Sequence, residues 1–118
     1  GDGLLVRELL RYPDLSIDLV ELDPGVVDFA THDPLSSLNE GSFHNPRIRL
    51  HFADALSWLR YNRETFEGIF LDFPYPYDLD TLRLYSWEFM ALVHSHLARK
   101  GFLAFYVIHT QNSNDFSI

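Results

Sequence analysis

The chain alternates between two hydrophobic rhythms. Leu4, Leu5, Leu9 and Leu10 recur at helical spacing, with Arg7, Glu8 and Arg11 opposite them, and Pro13 closes the segment. Ser16–Leu22 (SIDLVEL) alternates apolar and polar positions and predicts a strand. Asp23 and Pro24 then form a helix start, with Asp23 as cap and Pro24 where a missing N–H costs nothing. Val26, Val27, Phe29 and Ala30 carry that helix on. Residues 33–46 hold Pro, Ser, Asn and Gly and read as a long loop.

The rhythm then repeats. Arg47–Phe52 alternates as a strand, and Asp54 is placed to cap a helix bearing Leu56, Trp58 and Leu59. Gly68–Phe73 is a short apolar run of the kind that a doubly covered parallel strand shows. One helix is expected from Thr81 to Lys100, stopped by Gly101. Its stripe of Leu84, Trp87, Met90, Ala91, Val93 and Leu97 is expected in the core. Phe102–Ile108 is a further apolar strand, followed by a polar tail over 111–118. Helix and strand alternate throughout, which predicts an α/β fold with a parallel sheet and helices on both faces. In that architecture a strand should precede the first helix, so the first strand is expected to be missing or truncated. The domain is expected over 1–110, without repeats or linker.

Composition narrows the function. The chain has 118 residues, 47% hydrophobic and 15% aromatic, which fits one packed domain rather than a disordered segment. Cysteine is absent, so disulfides, thiolate metal sites and a cysteine nucleophile are excluded. No apolar run approaches the ~20 residues that cross a bilayer, and a cytoplasmic protein without membrane attachment is expected. The net charge of −8, with Lys100 as the single lysine, argues against nucleic acid and suits a cationic ligand. His32, His44, His51, His94, His96 and His109 form no i, i+4 pair, so no metal site is expected. His94 and His96 fall near the end of the long helix, where positive charge is tolerated.

Ligands of open parallel sheets bind beyond the carboxyl ends of the strands, and acids cluster there. Asp2 lies in the opening turn, Glu21 and Asp23 end one strand, Asp54 follows the next, and Asp72 ends a third. Asp2, Asp23 and Asp54 are equally candidates for helix N-caps. Glu21 lies one residue inside the strand end, where nucleoside-binding folds place an acid on ribose hydroxyls.

Four stretches together resemble the spermidine synthase family: GDGLLVREL, LVELDPGVVDFA, LNEGSFHNPRIRLHFADALSWL and FEGIFLDFPYPYDLDTLRLYSWEF. The likeness covers nearly the whole chain and is nearest to the long bacterial forms. It implies a Rossmann-like methyltransferase fold that moves an aminopropyl group from decarboxylated S-adenosylmethionine to putrescine and releases methylthioadenosine. By resemblance Asp2 and Gly3 belong to the family's glycine-rich loop beside the aminopropyl group. Glu21 would hold the ribose, and Asp54 with Ala55 the adenine. Asp72 would open the signature Asp-x-x-Asp-Pro loop.

Here that loop reads Asp72-Phe73-Pro74-Tyr75-Pro76, with Tyr75 in place of the second acid, the proposed general base. A phenol with a pKa of ~10 neither attracts an ammonium strongly nor takes its proton. Asp78 and Asp80 are candidates to substitute, and Asp80 is alternatively the cap of the next helix. Tyr75 and Tyr77 alternatively shape a pocket for a different acceptor or pack as lids. Three readings follow: a spermidine synthase-like aminopropyltransferase acting on polyamine and nucleoside ligands, another S-adenosylmethionine-dependent transferase, or a non-catalytic self-associating domain. Exposed strand edges predict a homo-oligomer, most simply a dimer.

Overall fold

The computed structural model describes residues 1–105; His109, the 111–118 tail and the end of the last predicted strand lie outside the described residues. The chain divides into two compact units, Gly1–Arg63 and a second that begins at Glu64. Each contains one pair of parallel strands joined by a helical crossover, the connection that parallel pairing requires.

In the first unit, helix α1 (Leu4–Leu9) precedes strand β1 (Ile17–Glu21), and helices α2 (Pro24–Ala30) and α3 (Leu35–Leu38) lead to β2 (Ile48–Phe52) and then α4 (Ala55–Tyr61). Strand β1 pairs in parallel with β2, from Ile17 opposite Ile48 to Glu21 opposite Phe52. Successive side chains of a strand take opposite faces, so Asp18 and Val20 share a face with Arg49 and His51. The Asp18 side chain is nearly buried and is satisfied on both oxygens, by Arg49 Nη2 at 2.6 Å and His51 Nε2 at 2.7 Å. The His51 ring rests 5.1 Å from that of Trp58 on α4. Val6, Val27, Ala30, Leu56 and Leu59 are the buried apolar residues of this unit.

The caps expected from the sequence form. Asp23 accepts a hydrogen bond from Gly25 N at 2.8 Å with Pro24 in the first turn, and Asp54 accepts one from Ser57 N at 2.9 Å. The stretch 33–46 is not the plain loop expected: it folds into α3 and a 3₁₀ turn at Ser42–His44. Its polar residues are what hold it. Asp33 Oδ1 accepts from the hydroxyls of Ser36 and Ser37, both at 2.6 Å, and the Asn39 and Ser42 side chains turn inward onto backbone carbonyls.

In the second unit, β3 (Phe66–Leu71) pairs in parallel with β4 (Leu97–Phe105). The long helix expected between them is broken. It becomes α5 (Leu79–Leu82), a 3₁₀ turn at Arg83–Tyr85, and α6 (Trp87–Ser95). Ser86 causes the break. Its backbone is extended, and its hydroxyl accepts from Phe89 N at 3.1 Å while donating to Arg83 O at 2.7 Å, so it ends one helix and caps the next. The break redirects the apolar stripe. Phe89 and Val93 are fully buried, whereas Trp87, expected in the core, is 84% exposed.

Gly101 is not a helix stop. The helix ends at Ser95 with His96 at the C-cap, and Gly101 lies inside β4. There Phe66 pairs with Leu97 but Gly68 already pairs with Phe102, so β4 carries an irregularity between these points. A Cβ on Gly101 would meet the carbonyl oxygens of Ala98 and Phe66 at 3.0 Å, which explains the glycine. His96 Nδ1 lies 2.8 Å from Glu64 O, tying the helix end to the start of the unit.

Candidate functional site

Parallel pairing brings the carboxyl ends of β1 and β2 to one edge, where Glu21, Asp23 and Asp54 lie. Ala53 N donates to Glu21 O at 3.0 Å, fastening the residues before Asp54 and Ala55 to the end of β1. Glu21 Oε1 accepts from Asp23 N at 3.1 Å, and Oε2 meets the Gly1 ammonium. Partial burial by itself would raise the Glu21 carboxyl. Hydrogen bonds from the backbone N–H groups of Asp23 and Leu22 act in the opposite direction and favour the anion. Glu21 is therefore an anionic acceptor at a strand end, already engaged with a hydrogen-bond donor. The vicinal hydroxyls of a ribose are donors of the same kind.

The Asp2–Gly3 turn lies beside Glu21 through Gly1. Asp2 Oδ1 accepts from Leu4 N at 2.9 Å, and Gly3 takes φ +84° as the N-cap of α1. Two residues that the sequence reading passed over hold this turn. Asn39, fully buried, donates through Nδ2 to Asp2 O at 3.0 Å and to Ala30 O at 2.8 Å. Ser42 Oγ donates to Gly3 O at 3.1 Å. A Cβ on Gly3 would stand 2.7 Å from both Ser42 Oγ and the Phe43 ring, so only glycine fits. Gly41, at φ +63°, was the available sign that 39–43 is a shaped turn.

In the second unit the loop after β3 carries Asp72, Tyr75 and Asp78. Asp72 follows the strand directly and is exposed. Phe73 anchors the loop: its ring packs 5.5 Å from buried Phe89 and 6.3 Å from Tyr85. The Tyr85 hydroxyl donates to Pro74 O at 2.8 Å. Asp78, rather than Asp80, caps α5 in a reciprocal capping box with Thr81, accepting from Thr81 N at 2.8 Å and from its hydroxyl at 2.7 Å. These two bonds hold the Asp78 carboxyl below the ordinary aspartate value. Asp80 sits in the first turn and pairs with Arg83 at 3.5 Å. Tyr75 and Tyr77 face solvent with ring centroids 5.3 Å apart.

Parallel strand–crossover–strand units define an α/β class of protein, in which ligands bind beyond the carboxyl ends of the strands. The model of the spermine/spermidine synthase domain matches residues 1–116, and the chain belongs to that family, whose domain is a Rossmann-like methyltransferase fold. It is similar to polyamine aminopropyltransferase 1 of Streptomyces coelicolor, 43% identical over 103 residues, covering 86% of this chain and 19% of that protein. The polyamine aminopropyltransferase of Mycobacterium tuberculosis is 44% identical over 108 residues, 87% of this chain and 20% of that protein. That of Corynebacterium efficiens is 42% identical over 104 residues, 86% and 20%. The chain thus spans about a fifth of the length of the curated relatives it matches. No helix among the described residues is long and apolar enough to cross a membrane.

Proposed function

We propose that this chain serves aminopropyl transfer from decarboxylated S-adenosylmethionine to an amine such as putrescine, in a cytoplasmic protein. The observation that carries the reading is the anionic Glu21 carboxylate at the carboxyl end of β1, beside the glycine turn. Glu21 accepts from the ribose hydroxyls, Asp54 and Ala55 address the adenine, and Asp2 and Gly3 line the aminopropyl chain. Decarboxylated S-adenosylmethionine is a co-substrate in this reading, and methylthioadenosine the product.

The chemistry asks little of the donor and more of the acceptor. The amine nitrogen attacks the methylene carbon attached to the sulfonium. The carbon–sulfur bond breaks, its electron pair stays on sulfur, and neutral methylthioadenosine departs. The attacking nitrogen must first be free of its extra proton, so an anion beside it serves as both counter-charge and base. Asp72 fills that role here, since Tyr75 stands at the second acidic position and Asp78 is engaged as a helix cap. Tyr75 also favours a second reading, a different S-adenosylmethionine-dependent transferase on the same fold.

Calorimetric titration separates these readings. Methylthioadenosine and decarboxylated S-adenosylmethionine should bind in preference to S-adenosylmethionine, and Glu21→Ala should abolish binding. Preference for S-adenosylmethionine moves the assignment to the second reading. Absence of binding by all three overturns both and leaves a non-catalytic domain. Assembly as a homodimer belongs to the proposal too, supported by Phe70, Phe102 and Phe105 exposed on β3 and β4. A monomeric mass by analytical ultracentrifugation overturns it.

A further inference from the structure

The loop after β3 has features that capping and packing leave unused. Tyr75 is 50% exposed and Tyr77 85% exposed, so neither ring serves as a packed lid. Their centroids lie 5.3 Å apart and their planes are inclined by 56°, so the two rings pack edge on face while much of their surface remains exposed. The backbone beneath them is held at several points. Pro74 and Pro76 restrict φ on either side of Tyr75, Phe73 is packed on Phe89, and Tyr85 ties down the Pro74 carbonyl. The capping box of Asp78 and Thr81 closes the far end. A ligand meeting these rings therefore orders little that is not already ordered.

Along the chain, the charges next to the rings have one sign. Asp72, Asp78 and Asp80 lie in the same stretch, residues 72–82 contain no lysine or arginine, and Arg83 is paired with Asp80. Two exposed aromatic rings in an anionic setting attract a cation. A ring face differs from a carboxylate in the cation it prefers. A primary ammonium keeps three N–H donors, which ring faces satisfy poorly, so it loses hydration without full return. An N-alkylated ammonium has fewer donors and weaker hydration, and aromatic faces suit it well. The tyrosine at position 75 is therefore a change of ligand chemistry as well as the loss of an acid.

We propose that Tyr75 and Tyr77 form a cation–π platform that selects an acceptor amine carrying N-alkyl groups, a secondary or N-methylated polyamine, over a primary diamine. This rests on the aminopropyltransferase reading of the same loop and names its substrate class. A secondary nitrogen retains a lone pair after deprotonation and so stays competent for transfer. A fully N-methylated diamine, titrated with no aminopropyl donor present, undergoes no transfer and so reports binding to the platform alone.

The test compares N,N,N′,N′-tetramethylputrescine with putrescine by calorimetry on the full chain, with methylthioadenosine titrated in parallel. The methylated diamine should bind about 2–5-fold more tightly, the range expected for an exposed cation–π contact. Tyr77→Phe should retain the preference, because the ring face remains. Tyr75→Leu with Tyr77→Leu should abolish it while leaving methylthioadenosine binding and the far-ultraviolet dichroism unchanged. Equal or tighter binding of putrescine, no binding of either diamine, or a preference that survives the double variant overturns the platform. A chain that binds methylthioadenosine without the amine preference overturns this inference alone. One that binds no nucleoside overturns the transferase reading on which it rests.

Discussion

The chain makes the passage from parallel strand to helix in two contrasting ways. After β1 the passage is short: Glu21 ends the strand, Asp23 caps, and Pro24 begins α2. After β3 it runs through residues 72–78 before α5 begins. In the short passage both acids are held by backbone close by, Glu21 accepting from Asp23 N and Asp23 from Gly25 N. In the long one the backbone is pinned by aromatic packing and a capping box, and the side chains between the pins face outward. The short connection gives one carboxylate an accurate position. The long one leaves room to vary what is displayed, and here it displays Tyr75 and Tyr77.

The sharpest way to break this contrast is to remove the pin of the long loop. Phe89→Ala deletes a fully buried ring that carries Phe73, and it should cost about 3–5 kcal/mol in urea denaturation. If the loop depends on that packing, the Tyr75 and Tyr77 ring resonances should lose their distinct environment under native conditions as well. An unchanged loop would mean that its prolines and capping box suffice.

The matching test in the first unit is Gly3→Val. It forces a side chain into φ +84° and against Ser42 and Phe43, and about 2–4 kcal/mol should be lost. Nucleoside binding should fall with it, since the turn lies beside Glu21. Full stability in this variant would show that the turn relaxes and that Asn39 and Ser42 do not hold it.

The smallest effect is electrostatic and compares one carboxylate from each unit. Asp33 is held below its ordinary value by the Ser36 and Ser37 hydroxyls, and Asp78 by the N–H and hydroxyl of Thr81. A carboxyl depressed in the folded state contributes stability above its unfolded value of about 3.9, and that contribution is lost as pH falls through the lower folded value. Carboxyl resonances followed below about pH 4 should titrate late for both residues. Thr81→Val removes the hydroxyl but keeps the backbone N–H, so it should move Asp78 only part of the way back toward the ordinary value and leave Asp33 unmoved.

Much of this was legible in residue order. Asp23-Pro24 and Asp54 are short-range cap signals, and they sit where the structure uses them. The period-two and apolar runs located β1, β2 and β3 within two residues at either end. The errors were of another kind. Thr81–Lys100 has helical periodicity throughout, yet Ser86 breaks it, because its hydroxyl satisfies the next helix start better than a continuous helix would. Asp80 was the nearer acid to the expected helix, but Asp78 took the cap once Thr81 could reciprocate.

The sequence by itself determined the alternation of helix and strand, the parallel class of pairing, and the residue types at the strand ends. Those depend on periodicity and on bonds spanning a few residues. Tertiary structure decided which polar residues turn inward. Asn39 reaches Asp2 across 37 positions, Asp18 is satisfied by Arg49 and His51 from the neighbouring strand, and Trp87 is left outside while Phe89 is buried. Such outcomes follow from where distant carbonyls and rings come to rest, and a buried polar group must find its partner only after the chain has folded around it.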